Sequence, residues 1–207
     1  MSNPRPTLEL ASQLDESCVP DFCKKSTLIL GCGNKLFGDD GFGCAVIEYV
    51  AAHHQVPETV CLLDVGTGIR NVLFTLCLSP MRPRLIVILD AIDLGRAPGE
   101  VFEILCSEIP LAKLDDFCLH QLPTSNLLRE LEEMCGVEIK LLVCQTGPLP
   151  EQVYEGLSQD VRLSVPKAAE YLIREWRLPH RNASLKASVE HSTASTATKL
   201  PLRQLRS

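Results

Sequence analysis

The chain has 207 residues, 45% of them hydrophobic, and a formal net charge of −6. That length buries one sizeable core, and an acidic chain with scattered Lys and Arg excludes nucleic acid as the main partner, because polyanion binding needs clustered cations. No apolar run approaches the roughly 18 residues of a membrane span, and the opening "MSNPRPTLELASQ" lacks the parts of a secretory signal, so a cytoplasmic protein with no membrane partner is expected.

Residues 1–24 are polar and proline-containing and read as a flexible leader. The apolar run "STLILGC" (26–32) predicts a first strand, followed by the glycine-rich "GNKLFGDDGFG" (33–43) and a helix over 42–54. "TVCLLDV" (59–65) predicts the second strand, 68–78 a helix, and "RLIVILDAI" (84–92) the third strand; these nearly continuous apolar runs suit strands buried on both faces. "GEVFEIL" (99–105) alternates after the turn "RAPG" and predicts an antiparallel strand. A helix over 125–136, capped by Thr124 or Ser125 and stopped by Gly136, leads to "VEIKLLVCQ" (137–145). The last helix is expected over 165–176, with Ser164 as N-cap and Pro166 at N1. Residues 179–207, rich in Ser, Ala and Thr, read as a disordered basic tail. Strands alternating with helices, without an internal repeat, predict one doubly wound α/β domain over 25–178, its sheet mostly parallel with helices on both faces.

Of the ten cysteines, Cys32, Cys44, Cys61, Cys77, Cys106, Cys118, Cys135 and Cys144 stand singly within apolar stretches. There they behave as small hydrophobes in a reducing compartment. Cys18 and Cys23 lack a second pair or a nearby His to complete a zinc set and read as free thiols.

The loop at 33–43 fits neither phosphate-binding pattern. Leu36 stands where the dinucleotide fingerprint needs its third glycine, and no Gly-Lys-Ser/Thr follows. Asp39 and Asp40 occupy the helix start, where at about 4 Å and an effective dielectric near 20 each would repel a phosphate oxygen by about 4 kcal/mol, more than a helix end returns. A bland role is helix capping, expected of Asp39. Asp40 has company: Asp64 ends the second strand, Asp90 the third, Asp93 follows, and His120 precedes the third helix. In an open parallel sheet the loops after the strands gather at one edge, and converging carboxylates invite a proton or a cation. Two carboxylates and one imidazole could hold nickel, zinc, iron or manganese. No G-x-S-x-G elbow and no H-E-x-x-H helix is present, and Cys118, two residues from His120, has no defined base partner.

"LGCGNKLFGDDGFG", "LLDVGTG", "VILDAIDLGRAPGE" and "LHQLP", in this order over 26 to about 176, resemble the motifs of the hydrogenase maturation proteases. These endopeptidases trim the large-subunit precursor of nickel-iron hydrogenases. The resemblance implies a metal site of Asp40, Asp64 and His120, where Asp40 replaces the Glu of some members and Val65 the Ala or Gly of many. It implies an aspartic-type hydrolase that cuts off the precursor's C-terminal extension once nickel is installed, with the nickel carried by the precursor as recognition element. Another divalent metal in the isolated protein is the alternative. Asp40 or Asp39 is the candidate general base, and Gly33, Asn34, Gly41, Gly66 and Thr67 are candidate substrate contacts. "DLGRAPGE" with "LHQLPTSNLLRELEE" looks most similar to maturation proteases of coenzyme F420-reducing hydrogenases. A non-cleaving nickel or precursor chaperone and a nucleotide-binding enzyme are the rival readings.

Overall fold

The computed structural model describes residues 18–105, 124–147 and 152–176. Its sheet has five strands: β1 (Thr27–Cys32), β2 (Val60–Gly66), β3 (Leu85–Ile92), β4 (Val101–Ile104) and β5 (Glu138–Gln145), in the order β2-β1-β3-β5-β4. All neighbours run parallel except β4, which is antiparallel to β5 at the edge. The alternating run "GEVFEIL" therefore adds its strand beside β5, not beside β3.

Helix α1 (Asp21–Lys24) precedes the sheet, α2 (Phe42–His53) joins β1 to β2, α3 (Ile69–Leu78) joins β2 to β3, α4 (Thr124–Glu133) precedes β5, and α5 (Gln159–Trp176) follows it. The β1-to-β2 step moves one way along the sheet and the β2-to-β3 step the other. Right-handed crossovers then put their helices on opposite faces. Two cores result. Leu28, Leu30, Ile86 and Ile88 pack under α3 and α4 through Leu73, Leu76 and Leu131, while Ile29, Val87 and Leu142 pack under α2 and α5 through Phe42, Val46, Ala168 and Leu172. The order reverses between β1 and β3, so the carboxyl ends of these two strands open the crevice where such sheets place ligands.

Two boundaries differ from expectation. The leader is not free up to residue 24: Cys23 is buried in the first core with Val19 and Phe22 against it, a packing that the polar composition of 1–24 as a whole conceals. Helix α5 begins at Gln159, so Ser164 and Pro166 lie inside it and are neither N-cap nor N1. Its buried stripe already runs from Val161 through Val165, Ala168, Ala169 and Leu172. The Ser164 hydroxyl donates to the carbonyls of Gly99 and Asp160 instead of capping. Helix α4 stops at Glu133, and Gly136 closes the turn that follows it, with a φ of 68° and Val137 N–H donating back to the Leu131 carbonyl at 3.0 Å.

Candidate active site

Helix α2 is pressed onto the strand ends because Gly31 and Gly43 leave room. A Cβ on Gly43 would collide with the Leu89 carbonyl of β3 and the Cys32 backbone of β1. The loop between β1 and α2 closes through a 3₁₀ turn, Gly38–Gly41. Gly33 takes a φ of 113°, where a Cβ would strike the Asp40 carbonyl, and its N–H reaches the Gly66 carbonyl of β2 at 3.1 Å. Asn34 turns the loop twice: its side-chain oxygen accepts from Leu36 N–H at 3.0 Å, and its own N–H donates to Asp40 Oδ2 at 2.7 Å. The half-buried Asp40 carboxyl is thereby fixed within the loop that follows β1. Burial raises its pKa, and the Asn34 N–H opposes that.

Asp90, at the end of β3, is 5% exposed and accepts from Ala91 N–H at 2.8 Å. Burial pushes its carboxyl well above the ordinary carboxylate value against that hydrogen bond, and the charge of Asp40 adds to the push. Asp90 thus lies within the field of Asp40. Asp64 has different neighbours: Lys35 Nζ stands 2.7 Å from Asp64 Oδ2 and 2.7 Å from Glu48 Oε1. Burial works against the Asp64 charge, but the Lys35 ammonium, with help from Cys44 and the Gly66 N–H, holds its carboxyl below the ordinary value. Beside Asp64 lies the buried Cys44, its thiol directed at the carbonyls of Gly31, Cys32 and Gly33 at 3.7–3.9 Å. Burial, then Asp64, then Asp90 push that thiol up to about 12, so it stays protonated.

Asp39 does not cap α2, which has no side-chain cap. Its carboxylate accepts from Ser158 N–H at 2.7 Å and from the Ser158 hydroxyl at 2.9 Å, tying the 3₁₀ turn to the start of α5. The expected capping role fails because the turn directs this side chain across to the start of α5. Beside it, Tyr154 N–H donates to the Leu36 carbonyl at 2.8 Å and Gly38 N–H to the Tyr154 carbonyl at 2.7 Å, a short parallel bridge opposite Phe37.

Of the expected site residues, Asp40, Gly33, Asn34 and Gly41 share one loop, and Gly66 joins it through Gly33. Gly41 packs against Lys35, leaving a Cβ only 3.0 Å from the Lys35 Cα. Thr67 follows β2 and is exposed. Asp93 is engaged in a turn, accepting from Gly95 N–H at 3.0 Å and from Gln145 Nε2 at 2.9 Å. His120, Cys106 and Cys118 lie outside the described residues, as do 1–17 of the leader and the tail. Among the described residues no group of three or more His, Cys, Asp or Glu could hold a metal. Asp40 and Asp90 nevertheless fit a divalent ion, since one buried acid under another's field is relieved by a proton or a cation. Asp90 was legible as an edge acid but not as the partner of Asp40. Lys35, Ser158 and Tyr154 gave no signal, because their partners are remote in sequence.

The model of the family "Hydrogenase maturation protease" matches residues 44–175. The chain belongs to this family. It is 36% identical over 154 residues, 73% of this chain and 97% of the other, to a candidate hydrogenase maturation protease of Methanocaldococcus jannaschii. It is 29% identical over 152 residues, 72% of this chain and 92% of the other, to the coenzyme F420 hydrogenase subunit delta of Methanothermobacter thermautotrophicus. The [NiFe] hydrogenase maturation protease HycI of Thermococcus kodakarensis superposes with a TM-score of 0.59 at 25% identity, covering 73% of this chain and 91% of the other. Like other hydrogenase maturation proteases, the chain is an endopeptidase, a hydrolase that processes a hydrogenase large-subunit precursor. No helix among its described residues is long and apolar enough to cross a membrane.

Proposed function

We propose that the chain removes the C-terminal extension from the precursor of a nickel-iron hydrogenase large subunit after nickel insertion, and that the nickel carried by the precursor is the recognition element. The observation that carries this reading is the placement of the buried Asp90 at the end of β3 beside the loop that follows β1 and holds the half-buried Asp40, at the β1/β3 crevice. Asp40, Asp90 and His120, the imidazole that the resemblance supplies, would be the residues to complete the shell of a metal incompletely held by the precursor. Asp90 takes the place beside Asp40 that the motif comparison gave to Asp64. Asp64 is ionised and held by Lys35. A metal so bound can polarise the scissile carbonyl or an attacking water.

Intact-mass spectrometry of the precursor, loaded or not with nickel and incubated with wild type or Asp40→Asn, tests this reading. Loss of a C-terminal peptide only from loaded precursor and only with wild type is expected. Shortening of nickel-free precursor would remove the nickel requirement. An unshortened loaded precursor would leave a binding chaperone in place of the protease.

A further inference from the structure

The segment at 152–156 lies at the rim of the site with half of its backbone used. The bridge residue Tyr154 spends its N–H and its carbonyl on Leu36 and Gly38 of the catalytic loop. In an extended segment neighbouring residues direct these groups to the opposite side. The backbone groups of Val153 and Glu155 accordingly have no hydrogen-bond partner among the described residues. The same rim exposes large apolar side chains: Leu36 is 46% exposed, Val153 66% and Tyr154 62%. Asp39 fixes the far end of the segment through Ser158, so the rim is rigidly linked to the turn that carries Asp40.

We propose that this rim receives the precursor's chain beside the scissile bond as an added strand, pairing its backbone with Val153 and Glu155 and its apolar side chains with Leu36, Val153 and Tyr154. The assignment rests on the protease reading above. An open row of amide donors and acceptors is matched by extended polypeptide, and alternating side-chain contacts then supply selectivity. The occupant is the stretch being cut because Leu36 and Gly38, which hold the bridge, lie within four residues of Asp40 on the same loop. An extended chain lying on the rim therefore runs past the acid pair.

The test uses the full-length protein and a fluorescent synthetic peptide spanning the processing site of the cognate precursor, read by anisotropy. Val153→Pro removes an outward N–H and should weaken binding by about tenfold, as should the pair Leu36→Ser with Tyr154→Ser, at an unchanged unfolding midpoint. With whole precursor the same variants should raise KM by about tenfold and leave kcat within about twofold. Should Val153→Pro misfold, the serine pair carries the test. Binding within about twofold of wild type, or a wild type that does not bind the peptide, overturns the rim assignment. So does loss of self-association in the variants with peptide binding intact, which would make the rim an interface between copies. Peptide capture that depends on the rim, without any shortening of the precursor, upholds the rim and overturns the protease reading alone.

Discussion

At Asp90 a single oxygen-to-nitrogen exchange separates chemistry from stability. The folded protein holds the Asp90 proton above the ordinary value of 3.8, whereas the unfolded chain releases it there. Between that value and the raised one the native state binds more protons, so this residue's contribution makes stability fall as pH rises. Asp90→Asn removes the effect: its unfolding midpoint should exceed that of wild type at about pH 7 and converge with it toward about pH 4. Precursor processing should meanwhile drop by at least about a hundredfold, as with Asp40→Asn. A variant that processes normally would separate Asp90 from the site. The thiols give a second check at this scale. Cys44 and Cys144 are buried with their thiols pushed up to about 12, while Cys18 is exposed. Alkylation of native protein at about pH 8, mapped by mass spectrometry, should label Cys18 and spare Cys44 and Cys144 until denaturant is added. The burial of Cys32, Cys44 and Cys144 was legible from their apolar surroundings, whereas Cys61, Cys77 and Cys135 are only partly buried. The placement of Asp90 beside the loop of Asp40 was not legible, since it arises from the adjacency of β1 and β3, which lie far apart in sequence.

Among the elements, the packing of α2 is the most constrained. Gly43→Ala sets a methyl group against backbone atoms of β1 and β3 that cannot rotate away. The substitution should cost at least about 2 kcal/mol in urea unfolding, or shift α2 and with it Asp40. A neutral result would contradict this close packing of α2 on the sheet. Asp39→Ala breaks two hydrogen bonds to Ser158 and should destabilise by about 1 kcal/mol, with Asp39→Asn retaining part of the stability. The sequence made the strands legible because apolar runs buried on both faces stand out in any register. It misplaced the start of α5 because Pro166 carries a strong start signal that the packed stripe from Val161 onward overrides; a proline inside a helix loses one hydrogen bond and typically costs about 3 kcal/mol, which burial offsets. The cap expected of Asp39 was a local rule displaced by a tertiary contact.

Across the whole molecule, two cores share the same strands, so neither can unfold without exposing the other's backing. Leu30→Ala on one face and Val87→Ala on the other should each lower stability, the first by about 2–5 kcal/mol, with a single transition by circular dichroism and tryptophan fluorescence alike. Separate transitions for the two faces would contradict the shared sheet. The doubly wound, mostly parallel class followed from the alternation of strands and helices, and the motif order carried the family. What no local pattern carried was the bond between Asp39 and Ser158, 119 residues apart. That bond has a temporal meaning. The loop bearing Asp40 leaves the ribosome early, but its outer wall exists only once residue 158 has emerged, several seconds later at about 5–20 residues per second. A nascent or prematurely terminated chain thus has the acids without the wall that frames them. Tight capture of a substrate chain therefore waits until synthesis has passed residue 158.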